Sequence, residues 1–251
     1  MTRQTRLSLI LCVCVVALIG LFFIPRIPLG ADYHDFADTR SLFALPHALD
    51  VLSNIPFLVA GGWGLFWLLS GASRLSFTDQ RERIPYVAFF AGVALTGVGS
   101  FWYHLAPSNS RLPGDLLPMT CCFVSMAVAL FMERVNVRIG LIGLTPLLLL
   151  GVASIAAWYC SGDYKFYLFV QFFSIVVVIL IVGLFPPRYS GMRYLAAAFA
   201  LFVGAKLFES FDRQIYLSGK IVSGHSLKHV TAGISSYLIL RMLQVRHVIA
   251  G

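Results

Sequence analysis

The chain has 251 residues, 59% of them hydrophobic and only 12% charged, with a formal net charge of +8 at pH 7. A soluble domain carries about a quarter charged residues, so this composition excludes a soluble globular protein. The positive charge does not call for nucleic acid, because the basic residues are distributed as membrane topology requires.

Eight runs approach or exceed the length that crosses a bilayer, about 20 mainly apolar residues. They are Leu7–Ile24, Val51–Leu69, Ile84–Leu105, Asp115–Met132, Ile139–Trp158, Phe166–Phe185, Tyr194–Ile215 and His225–Leu243. Irregular backbone cannot face lipid, so helices are expected, and the lack of polar alternation argues against a barrel. The first run follows Arg3 and Arg6, as a secretory signal would. Its apolar stretch exceeds the usual signal core of about 7–15 residues, and Phe22-Phe23-Ile24-Pro25 is a poor cleavage site. We therefore expect a retained anchor over residues 1–24 and one membrane domain over 25–251.

Lys and Arg set the expected orientation. Eleven of them fall on the side of the N-terminus, among them Arg74, Arg81, Arg83, Arg134 and Arg138, against five on the other side. Lys206, Arg213 and Lys228 lie within or near spans and are left out of the count. Both termini are expected to be cytoplasmic, and the excess charge to reflect this bias together with anionic lipid contact. The cysteines (Cys12, Cys14, Cys121, Cys122 and Cys160) sit in or near the end of spans without a C-x-x-C pair, as ordinary apolar thiols do. The longest loop, Pro25–Asp50, falls on the non-cytoplasmic side.

Ionisable residues within spans are costly and mark functional sites by default. Here they collect at one depth, near the non-cytoplasmic ends of four spans. The third span ends "GVGSFWYHLAPS", with Ser100 and His104, and the fourth opens "RLPGDLLPMT", with Asp115. The seventh ends "KLFESFDRQIY", with Glu209, Asp212 and Arg213, and the eighth opens "GHSLKHVTAG", with His225 and His229. Residues i and i+4 share a helix face, so His225 and His229 can point together, as the histidines of H-E-x-x-H do toward zinc. Ser100 and His104 share a face by the same rule. His104 is the remaining histidine within a span, and three nitrogen ligands with an open fourth position make the arrangement of a catalytic zinc. Asp115 lies close enough in sequence to serve a water there, and Ser100 to donate to a substrate carbonyl oxygen.

Each residue alone has a plainer explanation: an interfacial histidine, a serine bonded to backbone, an aspartate favoured by a helix dipole. Their joint occurrence at one depth favours a metal. Haem would want axial histidines from opposite helices and leave the i+4 partner redundant. Glu209 and Asp212 read as partners of Lys206, Arg213 or Lys228 bracing the rim, or as an acid orienting a zinc histidine. Lys228 lies off the His225/His229 face and reaches the interface or Glu209. Trp102, Tyr103 and Tyr216 fit an interfacial aromatic belt.

The stretches "GSFWYHLAPSNSRLPGDLLPMT" and "GHSLKHVTAG", with a fainter echo in "DFADTRSLFALPHALDVLSN", resemble the alkaline ceramidases of the CREST superfamily of membrane hydrolases. The resemblance implies an all-α integral membrane protein, a seven-helix CREST-type bundle over spans two to eight, with one additional N-terminal transmembrane helix. It implies that His104, His225 and His229 hold zinc, that Asp115 is the general base and that Ser100 stabilises the oxyanion. The implied reaction is hydrolysis of the amide of a ceramide-like N-acyl lipid. Alkaline ceramidases also bind calcium ahead of their first family helix. Here Asp35 and Asp38 fit that stretch, but Arg40 and His47 stand where an Asn and a Glu would be. Replacing oxygen ligands with a guanidinium is hostile to a hard dication, so calcium is not expected. Either Arg40 pairs with Asp35 and Asp38 to pin the loop, or the loop is simply solvated.

These readings make the chain a zinc-dependent amidase of a bacterial cell membrane, its site facing the non-cytoplasmic side. The alternative is a receptor-like or scaffold protein with a non-catalytic zinc, since the superfamily contains receptors with a similar site. A transporter fits poorly, because the polar residues lie at one end of the spans and not at the midplane.

Overall fold

The computed structural model describes residues 1–249, which form ten α-helices and no strand. In chain order they are α1 (Arg3–Phe23), α2 (Ala48–Leu52), α3 (Ile55–Leu69), α4 (Arg83–Leu105), α5 (Leu112–Arg134), α6 (Val137–Ser161), α7 (Lys165–Leu184), α8 (Met192–Ser210), α9 (Asp212–Gly219) and α10 (Gly224–Val245). Six segments are long and apolar enough to cross a membrane: α1, α2 with α3, α4 with the turn before it, α5, α6 and α7. The pair α8 and α9 makes a seventh if it is counted as one span. The chain is thus an all-helical, multi-pass candidate with six to seven spans by length and composition.

The seventh expected segment, Tyr194–Ile215, is not one straight helix: α8 and α9 meet at a bend of 73°. Phe211 leaves helical geometry at φ −105° and ψ 24°. The Asp212 carboxylate beside it accepts from two backbone N–H groups on other segments, Ala37 at 3.0 Å and His225 at 2.7 Å. The eighth expected segment is the 22-residue helix α10. Its histidines, Lys228 and Arg241 make it more polar than the others, and it packs against α8 and α3.

The helices follow one another around an arc. α6 packs on α5, α5 on α4, α4 on α3, α3 on α10 and α10 on α8. α7 packs on α5 and α6, with α1 against its outer side. α7 and α8 are not packed on one another, and a cavity lies between them.

Two glycines allow the close approaches that bring polar ends together. A side chain at Gly99 of α4 would collide with the Gly114 carbonyl of α5, and one at Gly224 with the Phe208 carbonyl and Asp212 backbone. The first draws Ser100 and His104 toward Asp115, and the second seats the start of α10 on the α8–α9 bend.

At the other end of the same helices, the buried carboxylates Glu82 and Glu133 face Arg188 and Arg246. Arg246 pairs with Glu133, donates Nε to Ser76 O at 2.9 Å and lies 4.0 Å from the Tyr189 ring centre. This network joins the ends of α4, α5 and α10 to the α7–α8 loop.

Candidate metal centre

α10 begins under three polar constraints. Ser223 caps it by accepting from Ser226 N at 3.0 Å. Asp212 accepts from His225 N, satisfying another of the amides that a helix start leaves without intrahelical partners. Asp50 of α2, fully buried, accepts from Ser223 Oγ at 3.0 Å and Ser226 Oγ at 2.6 Å. These contacts fix the first turn, which carries His225 and, one turn on, His229.

His104 comes from the last turn of α4. Its Nε2 lies 3.2 Å from Nε2 of His225. One ligand atom from each of His104, His225 and His229 lies within 4.8 Å of the others, and all three residues are buried. Zinc binds imidazole nitrogen at about 2.0–2.1 Å, which puts two nitrogens of a tetrahedral site roughly 3.3 Å apart. The His104–His225 spacing fits that geometry, and the three-nitrogen donor set suits a borderline transition metal. The sequence expectation that these three histidines converge is met, and the cluster could hold a metal ion.

Ser53 supplies the orientation of His229. Its hydroxyl has one proton, donated to the Asp50 carbonyl at 2.9 Å. With that proton on the carbonyl, we assign the oxygen as acceptor of His229 Nδ1–H at 2.8 Å. This assignment makes His229 the Nδ1–H tautomer and leaves Nε2 bare to ligate, the usual device around metal-binding histidines. Asn54 stiffens the same turn by donating to the Asp50 carbonyl at 2.8 Å.

The Phe36 ring, on the loop before α2, lies edge-on to His104 at 4.7 Å and to His225 at 4.4 Å between centres. It closes that side of the cluster to water. The other side meets the cavity, about 500 Å³ and lined mainly by apolar side chains of α5, α7 and α8. This is within the range of small-molecule sites, roughly 300–1,000 Å³. Its polar lining includes His229, Ser100 and Asp115. Ser100 Oγ is buried with no hydrogen-bond partner. Asp115 is buried in the first turn of α5, just after Pro113.

The loop before α2 is pinned more specifically than expected. Arg40 grips Asp38 bidentately, Nε to Oδ1 at 2.8 Å and Nη2 to Oδ2 at 2.7 Å. It also donates to the carbonyls of Lys220 and Ile221, each at 2.8 Å, and covers the Tyr216 ring. Burial pushes the Asp38 carboxyl up, but the hydrogen bonds and charge of Arg40 outweigh it and hold it below the usual carboxylate range. Both Asp38 oxygens are thus engaged by a guanidinium. Asp35 does not join this pair: its partner is Arg213 at 2.7 Å, because α9 swings Arg213 over the loop after the bend. His47 takes a left-handed conformation at φ 44° and keeps its buried Nδ1 without a partner.

Glu209 pairs with Lys206 and with Lys228, the latter at 2.9 Å, and Asp212 acts as the backbone cap described above. Tyr103 departs from the expected aromatic belt. It is buried, its hydroxyl 2.6 Å from His34 Nδ1, because the loop before α2 folds over the end of α4. Trp102 stays exposed under Arg111.

Asp50 and Ser53 were missed as site residues because the expected second span begins at Val51, which left Asp50 in the loop. An acid three residues before "SN" at the head of an apolar run was the available signal. No family model and no curated protein matches the chain. What the fold and site define is a class: a helical multi-pass membrane protein with a buried three-histidine cluster beside an apolar cavity.

Proposed function

We propose that the protein is a zinc-dependent hydrolase that cleaves the amide of a ceramide-like N-acyl lipid from within the membrane. The observation that carries this reading is the convergence of three buried histidine nitrogens, one of them on His229, which lines a cavity that also exposes Asp115 and Ser100. Zinc bound to His104, His225 and His229 would supply Lewis-acid activation, lowering the pKa of a water toward about 7.

The remaining work falls to side chains of this chain. Asp115 accepts the proton of the attacking water at its carboxylate and returns it to the leaving amine as the C–N bond breaks, as general acid–base catalysis requires. Ser100, whose hydroxyl stands beside Asp115 on the cavity wall, donates to the carbonyl oxygen as negative charge develops there. Phe36 excludes bulk water, and the apolar wall takes the acyl chain. The unpacked seam between α7 and α8 provides lateral entry from the bilayer. By the basic-residue count, the site faces the non-cytoplasmic side.

Metal analysis of the purified protein, combined with mass spectrometry of fatty acid released from a lipid panel, tests the reading. Wild type should carry about one zinc and release fatty acid, and His225→Ala should lose both. Asp115→Asn should keep the metal and lose turnover by roughly a hundredfold or more, the usual scale of general-base contributions. Absence of zinc from wild type would remove the mechanism. Zinc without cleavage of any lipid amide would point instead to the receptor-like role.

A further inference from the structure

The cavity wall carries a charged group that the proposed chemistry does not use. Lys206 and Glu209 of α8 and Lys228 of α10 all line it. Glu209 Oε2 accepts from Lys206 and Oε1 from Lys228. Two ammonium groups therefore share one carboxylate. Asp115, the other acid on the wall, forms no ion pair with either lysine among the described residues. An ammonium has three donors, and each lysine spends one on Glu209, which leaves four N–H donors without a protein acceptor and, within ion-pair distance, one carboxylate for two ammonium groups. Side-chain exposure is only 16% for Lys228 and 37% for Lys206.

Two ammonium groups that share one close carboxylate at the edge of an apolar cavity favour a second anion within contact distance. A neutral hydroxylated headgroup would occupy the free donors but leave the charge. An anion does both. Lysine ammonium groups bind carboxylates and phosphates as point charges, tolerating varied geometry.

We propose that Lys206, Glu209 and Lys228 form the headgroup subsite, and that the N-acyl lipid taken here carries a carboxylate or phosphate on its polar portion. This deepens the amidase reading and rests on it. Glu209 is the internal placeholder: it bridges the lysines when the cavity is empty and competes with the incoming anion. The lysines and Glu209 therefore act with opposite signs. Removing a lysine should weaken binding of an anionic lipid, and removing the Glu209 charge should strengthen it.

Equilibrium binding to the full chain in nanodiscs tests this, by displacement of a fluorescent acyl probe. Asp115→Asn provides the background in which hydrolysis does not interfere. The competitors are N-palmitoylglycine, N-palmitoylethanolamine and palmitic acid, and metal content is measured for every variant. N-palmitoylglycine should bind at least about tenfold more tightly than the neutral amide, the scale of a hydrogen bond to a charged group. Lys206→Gln and Lys228→Gln should each lose roughly that factor, while Glu209→Gln gains severalfold. Lys206 is distant in sequence from the histidines, so its variant reads the charge without disturbing a ligand's neighbour.

Equal binding of the neutral amide, or weakened binding in Glu209→Gln with the metal retained, overturns the proposal. Palmitic acid binding as tightly as N-palmitoylglycine also overturns it, because the site would then cradle a fatty-acid carboxylate. The two readings fail separately. Charge-selective binding with no amide cleaved by wild type removes the hydrolase and leaves the subsite. Cleavage without charge discrimination does the reverse.

Discussion

Ser53→Ala isolates one hydrogen bond that the metal centre depends on. In wild type the Ser53 hydroxyl accepts from His229 Nδ1 at 2.8 Å and donates to the Asp50 carbonyl at 2.9 Å. Alanine removes the acceptor and leaves a buried imidazole N–H without a partner. A buried unsatisfied donor costs about 1–3 kcal/mol. The imidazole can escape that cost by moving its proton to Nε2 or by rotating, and either movement takes the bare nitrogen from the cluster. The cost therefore appears as lost metal affinity, about 10–100-fold, in line with what outer-shell substitutions generally do. Competition with a zinc-selective chelator, on detergent-purified protein of matched helicity, measures it. Ser53→Thr retains the hydroxyl and should recover most of the affinity. If Ser53→Ala binds zinc within about threefold of wild type while Thr and Ala behave alike, His229 is not held by this bond and the tautomer assignment is wrong.

Three further outcomes follow from other parts of the fold. Glu133→Ala strands Arg246, whose side chain is 1% exposed, and breaking one partner of a buried pair typically costs about 3–5 kcal/mol. Thermal or denaturant unfolding in detergent should show this loss with metal content unchanged in the folded fraction, since the pair lies at the end of the helices away from the histidines. Gly99→Val forces α4 off α5 at the Gly114 carbonyl, so it should lower stability by at least about the 1–3 kcal/mol of ordinary overpacking. It should also impair turnover beyond what residual folded protein explains, because Ser100, His104 and Asp115 are set by this contact. Arg40→Gln removes the bidentate grip on Asp38. With Arg40 itself 44% exposed, solvent screening keeps the stability loss small, and faster proteolysis of the loop before α2 would register it.

Much of the site was legible in the sequence because helical spacing is local. His225 and His229 share a face by i,i+4 geometry whatever the fold, and hydropathy places His104, Asp115 and Ser100 at matching ends of neighbouring spans. The fate of Lys228 was legible for the same reason: one step off the histidine face, it meets Glu209. What misled was a boundary. Starting the second span at Val51 hid Asp50, which hydropathy treats as loop and the fold treats as a fully buried anchor for Ser223 and Ser226. Tyr103 was placed in an aromatic belt because hydropathy does not report that a loop folds back over the end of α4.

Composition and periodicity by themselves determined that this is a helical membrane chain with Ser100, His104, Asp115, His225 and His229 gathered at one end, because the bilayer confines polar residues to few places. The tertiary structure alone decided three things. The bend at Phe211 turned Asp212 into the cap of α10 and gave Asp35 to Arg213, where a continuous helix would have carried both residues elsewhere. The Gly99–Gly114 and Gly224–Phe208 contacts set how closely the polar helix ends approach. The unpacked seam between α7 and α8 left a cavity beside the histidines. Each depends on pairs of residues far apart in the chain, whose meeting is fixed by packing and carries no signal in local sequence.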